Sequence, residues 1–340
     1  MIILGIESSC DETSIAILDD ENLKANLIAS QHIHKKFGGV IPELSSRAHL
    51  QQIIPLIKAA LKKADCSLED IDLVTSTAGP GLVGALLVGF TFGKSLALSL
   101  NKPFVSVNHI EGHIFSGFLM EEKPEYPFLA IVVSGGHTLL LLVKNEFEIY
   151  KLGSTIDDAI GESFDKVSKM IGLGYPGGPL IQEHAKKGNE NEYNFPIGKS
   201  KNKYDFSFSG VKTSVLRKIQ EIEKERDLTE QIKSDIAASF QKSAVEAITL
   251  RLKDALNEFE TKSISLVGGV AANELLRKEV KNIGADFNKK VVIPKLEFCS
   301  DNAAMIALRG AQYHKAGYKF DLSCNVFPSL PKEQFKVCKK

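Results

Sequence analysis

The sequence predicts an α/β chain made of two related halves, and three observations carry that prediction. Two segments read as β-hairpins with small polar tips: ILGIESSCDETSIAILD at 3–19 and FLAIVVSGGHTLLLLV at 128–143. Two others, Ile71 to Gly89 and Ser263 to Val280, read as strand, glycine turn, helix. Their order is hairpin, strand–turn–helix, hairpin, strand–turn–helix, a repeat at the level of the fold. Each glycine turn alone marks only a turn. The paired order is what speaks for duplication.

Bulk composition agrees. The chain has 340 residues, 44% hydrophobic and 25% charged, and that length favours two cores over one. Lys+Arg 42 balances Asp+Glu 42, so no global field recruits nucleic acid and any RNA contact rests on a local patch. Cys10, Cys66, Cys299, Cys324 and Cys338 form no CxxC pair, as expected of reduced cytoplasmic thiols. The opening MIILGIESSCDET meets acids within a few residues, unlike a signal peptide.

The remaining elements follow in order. Leu82 to Leu100 approaches membrane-span length but contains Lys94, and it reads as a buried helix whose Gly89 and Gly93 share one face. That face suits tight core packing or a partner helix. The polar stretch at 183–218 reads as an exposed excursion. Its lysines and arginine (Lys186, Lys187, Lys199, Lys201, Lys203, Lys212, Arg217, Lys218) are either a local phosphate-contacting patch or plain solvated charge. Ser234 to Phe259 has helical apolar spacing. The tail after Asp321, with its prolines and lysines, reads as peripheral.

Several constellations bear on chemistry. His109-Ile-Glu-Gly-His113 puts two imidazoles at i and i+4, on one helix face, where they suit a metal or are ordinary polar helix residues. Zinc proteases place glutamate directly after the first histidine; here Glu111 comes two residues after it and points off that face. Asp301 in EFCSDNAAMIALRG is a candidate third ligand, although it or Ser300 also fits a helix N-cap. Imidazoles plus carboxylate suit Fe(II) or Zn(II). SGGH at 134–137 either cradles phosphate with free amides or is a tight hairpin turn. GYPGGP at 174–179 reads as a rigid loop presenting Gly178.

ESSCDET, GGVIPELSSRAH, AGPGLVGALLVG, HIEGH, VSGGHT, GESFDK, YPGGP, DFSFSGVKT, GGVAAN and FCSDNAAMIA occur in that order over about 3–325. As a set they resemble the tRNA N6-adenosine threonylcarbamoyltransferase family, once described as glycoproteases, in its bacterial form. The resemblance implies an actin-like, duplicated ribonuclease H-like fold with two lobes around a cleft. On that basis the lobes are expected at 1–126 and 127–299, with a helix at 300–325 returning to the first and a peripheral tail at 326–340. It implies transfer of threonylcarbamoyl from threonylcarbamoyl-AMP to the N6 amine of the tRNA adenosine beside the anticodon, with AMP released.

By the family's motifs, His109, His113 and Asp301 hold one divalent ion, Fe(II) or Zn(II). Val132, Val133, Ser134, Gly135 and Gly136 contact the substrate. Asp165, Gly178 and Asn273 bind its nucleoside, in a cleft that also admits adenine nucleotides. Asp11 and Glu12, on the first hairpin tip, are candidates to position the attacking amine or accept its proton; a solvated turn is the alternative. Arg47 is a candidate phosphate contact. The sequence departs from the family at Gly174, where an acid is common. Implied partners are tRNA, a shorter actin-like paralogue and a small P-loop ATPase, with the 82–100 helix as the docking element for the paralogue or a second copy. Location is expected to be cytoplasmic, without a membrane. A small-molecule kinase, a metalloprotease and a degenerate non-catalytic copy are the rivals; intact HIEGH, VSGGH and SDN argue against the last.

Overall fold

The computed structural model describes residues 1–31, 39–198, 200–318, 323–331 and 334–337. Lys199 of the basic stretch and Cys338 lie outside the described residues. The chain divides into two compact units, Met1–Lys123 with Pro294–Gln334 and Pro124–Ile293 with Phe335–Lys340.

In the first unit, β1 (Ile2–Glu7) and β2 (Glu12–Asp19) form the expected hairpin, pairing antiparallel from Ile2 opposite Asp19 to Glu7 opposite Ser14. β3 (Asn22–Ser30) extends it antiparallel. After α1 (Pro42–Ala64), β4 (Leu73–Gly79) joins β1 in parallel. After α2 (Val83–Leu100), β5 (Phe104–Asn108) joins β4, giving the order β3-β2-β1-β4-β5. α3 (His109–Phe115) follows β5 without a gap.

The second unit repeats the scheme. β6 (Phe128–Val133), β7 (Thr138–Asn145) and β8 (Glu148–Ser154) form an antiparallel meander. α4 (Ile160–Met170), α5 (Gly177–Ala185), α6 (Ser209–Glu223) and α7 (Glu230–Glu258) then lead to β9 (Ser263–Val267), parallel to β6. α8 (Glu274–Asp286) and β10 (Lys290–Val292) complete the half. Every β6 side chain is buried, as expected for a strand covered on both faces.

α9 (Ala303–Lys315) lies across β1, β2, β4 and β5 of the first unit. It buries Met305, Ile306 and Leu308 there, each worth roughly 1.5–3 kcal/mol of transfer free energy. The helix sits unusually close to the sheet. A Cβ at Gly5 would collide with the Ala303 carbonyl, and one at Gly310 with Thr75.

Four expectations change. α2 is a one-sided helix, not a buried one: Ala85, Leu86, Gly89, Phe90, Gly93 and Ala97 face inward, while Val83, Leu87 and Leu98 are exposed. It is long and apolar enough to cross a membrane by length and composition alone. Its glycine face meets Ser8, Ile6, Ser76 and Phe104 of its own unit, so that face is closed to a partner. The excursion at 183–218 is pinned by buried Phe195, Tyr204, Phe206 and Phe208, aromatic anchors in a polar string. Its lysines are largely paired: Lys186–Glu274, Lys187–Glu183, Lys203–Glu258, Lys212–Asp158 and Lys218–Glu221. The tail is tied down as well. Phe327 N donates to Ala78 O at 2.8 Å, Phe335 is buried, and β11 (Lys336–Val337) pairs parallel with β8.

Candidate functional site

In the first unit, three side chains converge from two elements. Asn108 caps α3 by accepting from the Ile110 and Glu111 amides at 2.8 and 3.2 Å, so the helix starts at His109 and both histidines fall on one face. Their ring centroids lie 4.7 Å apart. Asn302, rather than Ser300 or Asp301, caps α9: its Oδ1 accepts from Met305 N at 3.1 Å. That leaves the Asp301 carboxylate at the helix start, with Oδ1 3.1 Å from His113 Nε2 and 3.5 Å from His109 Nε2. Candidate ligand atoms of the three residues lie within 4.8 Å of one another.

That geometry fits a metal. With bonds of about 2.0–2.2 Å, neighbouring ligands of one ion stand roughly 3–4 Å apart. A second layer orients one ring. Glu7, fully buried at the end of β1, accepts from Thr77 Oγ1 at 2.6 Å and from Ser9 N at 2.5 Å, and lies 3.1 Å from His109 Nδ1. A carboxylate behind a histidine fixes which nitrogen faces the ligand position. Among the described residues His113 Nδ1 has no hydrogen-bond partner, and its ring is held by Asp301 at Nε2 and by the His109 ring edge-on.

Electrostatically the carboxylates hold positive charge at this place, as a proton on His109 that a metal ion would have to displace. Burial works against a charged His109, but Asp301 and Glu7 outweigh it and raise it to about 9. Burial pushes the Glu7 carboxyl up, yet His109 and Thr77 hold it below its usual value. Burial lowers His113, favouring the neutral imidazole that ligates metals. Burial, Asp301 and Asp11 push Glu12 up to about 9. Crowded carboxylates raise one another in this way, and a bound cation relieves it.

Asp11 and Glu12 sit on the β1–β2 turn and at the start of β2. Buried His49 on α1 braces that turn, with Nδ1 2.7 Å from Thr13 Oγ1 and Nε2 3.0 Å from Cys10 O. Ser45 Oγ donates to the same carbonyl. This is the structural content of the SSRAH motif. Arg47 within it is exposed and pairs with Glu43 at 2.8 Å, one turn away. Glu111 points away from the histidine face, into a pocket formed by Arg309, Tyr313 and Gln334.

The second unit holds a cavity of about 260 Å³ lined by Gly135, Gly161, Phe164, Asp165, Gly178, Pro179, Gln182, Gly269, Val270, Ala272 and Asn273. YPGGP is less a loop than a helix start. Pro176 is the α5 N-cap position, and Pro179 is tolerated in the first turn because its missing N–H has no helical partner there. Asp165 Oδ1 accepts from Gly177 N at 2.7 Å, locking that start against α4. Gly135, Gly178 and Gly269 share a feature: a Cβ on each would meet nothing within 4 Å. Neither packing nor positive φ requires glycine at these three positions, so they hold space open. Gly174, by contrast, has φ +98°, a conformation that an acid there would adopt only under strain.

Among the sequence candidates, Gly135, Asp165, Gly178 and Asn273 line this cavity. Val132 and Val133 do not; their side chains are wholly buried in β6, and only backbone is left to them. Ser134 closes the hairpin turn with His137, and Gly136 lies outside the lining. Asn273 caps α8 through Leu276 N at 3.0 Å and donates to Gln241 at 2.8 Å. Sequence reasoning gave no role to Glu7, Thr77, Ser9 or Arg309. For Glu7 and Arg309 the one signal was an ionisable residue embedded in an apolar run, at IILGIE and AAMIALRGA; Thr77 and Ser9 had none.

Comparison with known proteins gives the family and the fold. Residues 22–308 match the family described as tRNA N6-adenosine threonylcarbamoyltransferase. A protein of that name from Thermosipho africanus is 49% identical over 97% of this chain and 99% of its own length. One from Dictyoglomus turgidum is 48% identical over 97% and 98%. Among solved structures, component A of the Acidaminococcus fermentans (R)-2-hydroxyglutaryl-CoA dehydratase superposes with TM-score 0.55 at 16% identity, covering 94% of this chain and 100% of that one. T. kodakarensis HypF superposes with TM-score 0.63 at 14% identity, over 93% and 48%. At those identities the likeness shows the fold alone, the duplicated actin-like α/β fold.

Proposed function

The chain belongs to the tRNA N6-adenosine threonylcarbamoyltransferase family, a family of transferases acting in tRNA modification, and from that premise we propose the following reaction. Its donor is threonylcarbamoyl-AMP and its acceptor the N6 amine of the adenosine next to the anticodon, in tRNAs that read codons starting with A. The amine attacks the carbamoyl carbon, the bond from that carbon to the phosphate oxygen breaks, and AMP leaves. No side chain forms a covalent intermediate.

His109, His113 and Asp301 would hold one divalent ion, Fe(II) or Zn(II). When bound, the ion supplies charge stabilisation for phosphate and carbamoyl oxygens. Glu7 keeps His109 aimed. The cavity of the second unit takes the nucleoside of the donor, or an adenine nucleotide in its place. Gly135, Gly178 and Gly269 leave it room, and Asp165 offers a carboxylate for ribose hydroxyls. Val132, Val133, Ser134 and Gly136 serve through the backbone and turn that present Gly135, and Asn273 shapes the wall. Asp11 and Glu12 position the amine and take up its proton. Glu12, pushed up to about 9, holds its own proton at neutral pH in the metal-free chain and can donate a hydrogen bond that positions the amine.

The single observation that carries this reading is the convergence of His109, His113 and Asp301 in a chain of this family. A kinase of the same fold needs no such group. A protease needs its glutamate beside the metal, and Glu111 is committed to Arg309 instead. The test is transfer of labelled threonine from threonylcarbamoyl-AMP to unmodified tRNA by wild type and His109→Ala. Absence of incorporation by wild type, with its partners present, would sink the proposal.

We assign the protein to the cytoplasm, working with a shorter actin-like paralogue and a small P-loop ATPase. The docking face is the outer apolar stripe of α1 and α2 (Leu50, Ile54, Val83, Leu87), not the inward-facing glycines. A second copy of the chain is the alternative occupant.

A further inference from the structure

Asp301 and His113 are 188 residues apart in sequence, so their contact depends wholly on how α9 lies against α3. Asp301 is not itself anchored as a helix cap, since Asn302 fills that role, so its carboxylate goes where the first turn of α9 goes. The sheet holds α9 from one side, where Ala303 N donates to Ser14 Oγ at 2.9 Å, and two contacts fix it against α3 on the other. Gly112 lets α3 press on α9: a Cβ there would stand 2.9 Å from Ile306 and 3.2 Å from Met305. The other contact is polar and buried. Arg309, 1% exposed, reaches Glu111 Oε2 with Nε at 2.8 Å and Nη2 at 2.7 Å. Tyr313 Oη donates to the same oxygen at 2.5 Å, and Gln334 Nε2 donates to Oε1 at 2.6 Å. The guanidinium lies 4.1 Å from the Phe115 ring centroid and 4.2 Å from that of Tyr313.

Resting on the metal reading above, we propose that the Glu111–Arg309 pair is a positioning device that fixes the rotation of α3 and the slide of α9, and so sets Asp301 against His109 and His113. Glu111 stands two residues from each histidine, about 200° round the helix at 3.6 residues per turn, which places it opposite the ligand face. Arg309 stands six positions past Ala303, where α9 begins just after Asp301, roughly 9 Å along the helix at 1.5 Å per residue. The pair therefore grips each helix away from its ligands, as a lever does. Stability alone does not account for it, because apolar side chains of similar volume hold two helices at least as well as a desolvated ion pair. What such side chains lack is direction. Two guanidinium N–H groups converging on Oε2, with Tyr313 on the same oxygen and Gln334 on Oε1, permit one register, and aliphatic chains permit several.

The test uses the full chain, loaded with Zn²⁺ by chelator competition and with Co²⁺ read by its visible absorption. Glu111→Leu with Arg309→Met replaces the pair by apolar bulk. The expected result is a metal-free melting temperature close to wild type, a Zn²⁺ dissociation constant raised about 10–100-fold, and an altered Co²⁺ spectrum. Unchanged Zn²⁺ affinity and an unchanged Co²⁺ spectrum in that folded variant would overturn the inference. Should it fail to fold, Arg309→Lys, which keeps the charge and loses the fork, carries the test with the same two readouts. His113→Ala separates the two ideas. If wild type binds Zn²⁺ no more tightly than His113→Ala, the metal reading itself fails, whatever the pair does.

Discussion

The two units build one framework twice and finish it with opposite chemistries. The strand order β3-β2-β1-β4-β5 of the first recurs as β8-β7-β6-β9-β10 in the second, with the same hairpin and the same parallel additions. At the end of β1 the first unit places Glu7, then Asp11 and Glu12, and after β5 come His109 and His113. At the end of β6, the counterpart of β1, the second unit places Ser134, Gly135 and Gly136, and after β9, the counterpart of β4, it places Gly268 and Gly269. One unit concentrates ionisable groups, three of them spaced as metal ligands are; the other carries glycines around a cavity. A duplicated fold thus divides its labour through tip residues, while the buried strands stay interchangeable in kind.

The sharpest way to break this division is at the charged end. His113→Ala or Asp301→Ala should lower threonylcarbamoyl transfer by about 100–1,000-fold or more, the scale for losing electrophilic stabilisation. Near-normal transfer of labelled threonine by either variant would take the chemistry out of the first unit. At the open end, Gly178→Leu should leave folding intact, since a Cβ there meets nothing within 4 Å. It should weaken adenine nucleotide binding about tenfold or more by calorimetry, close to 1.4 kcal/mol. Equal affinity would show that the cavity is not where the nucleoside sits.

A glycine in the first unit should behave in the reverse way. Gly89→Leu drives side-chain bulk into Ser8 and Ile6, and it should cost about 1–3 kcal/mol in urea denaturation. An unchanged midpoint would reopen the glycine face as a docking surface. The smallest effect on the chain itself is expected for Leu50→Ser with Leu87→Ser on the exposed stripe, within about 0.5 kcal/mol each. Association with the paralogue, followed by sedimentation, should nevertheless be lost. Persistence of the complex would move the docking face elsewhere.

Legibility in the sequence followed the range of the interaction. The hairpins at 3–19 and 128–143 were readable because alternating apolar runs and a small polar tip are local signals. The inward glycines of α2 were half readable: four-residue spacing predicts a close approach, and only packing tells that the neighbours are Ile6, Ser8 and Ser76 of the same unit. Pairing of the excursion lysines with Glu258, Glu274 and Asp158 was invisible, since those acids lie tens of residues away. A string of lysines looks alike whether paired or free.

For the charged end, the sequence by itself determined the i, i+4 spacing of His109 and His113 and the offset of Glu111 from their face, because helical periodicity is a property of a few consecutive residues. The residues offered Asp301 as a candidate and the family resemblance made it the third ligand, but no spacing rule joins residue 301 to residue 113. Tertiary structure decided the rest. Asn302 takes the cap and Asp301 stands against His113; Glu7 braces His109 from a strand tip; Arg309 reaches Glu111 from α9. The physical reason is that capping and periodicity act within one turn, whereas the convergence of side chains from separate elements is set by how helices and sheet exclude water together.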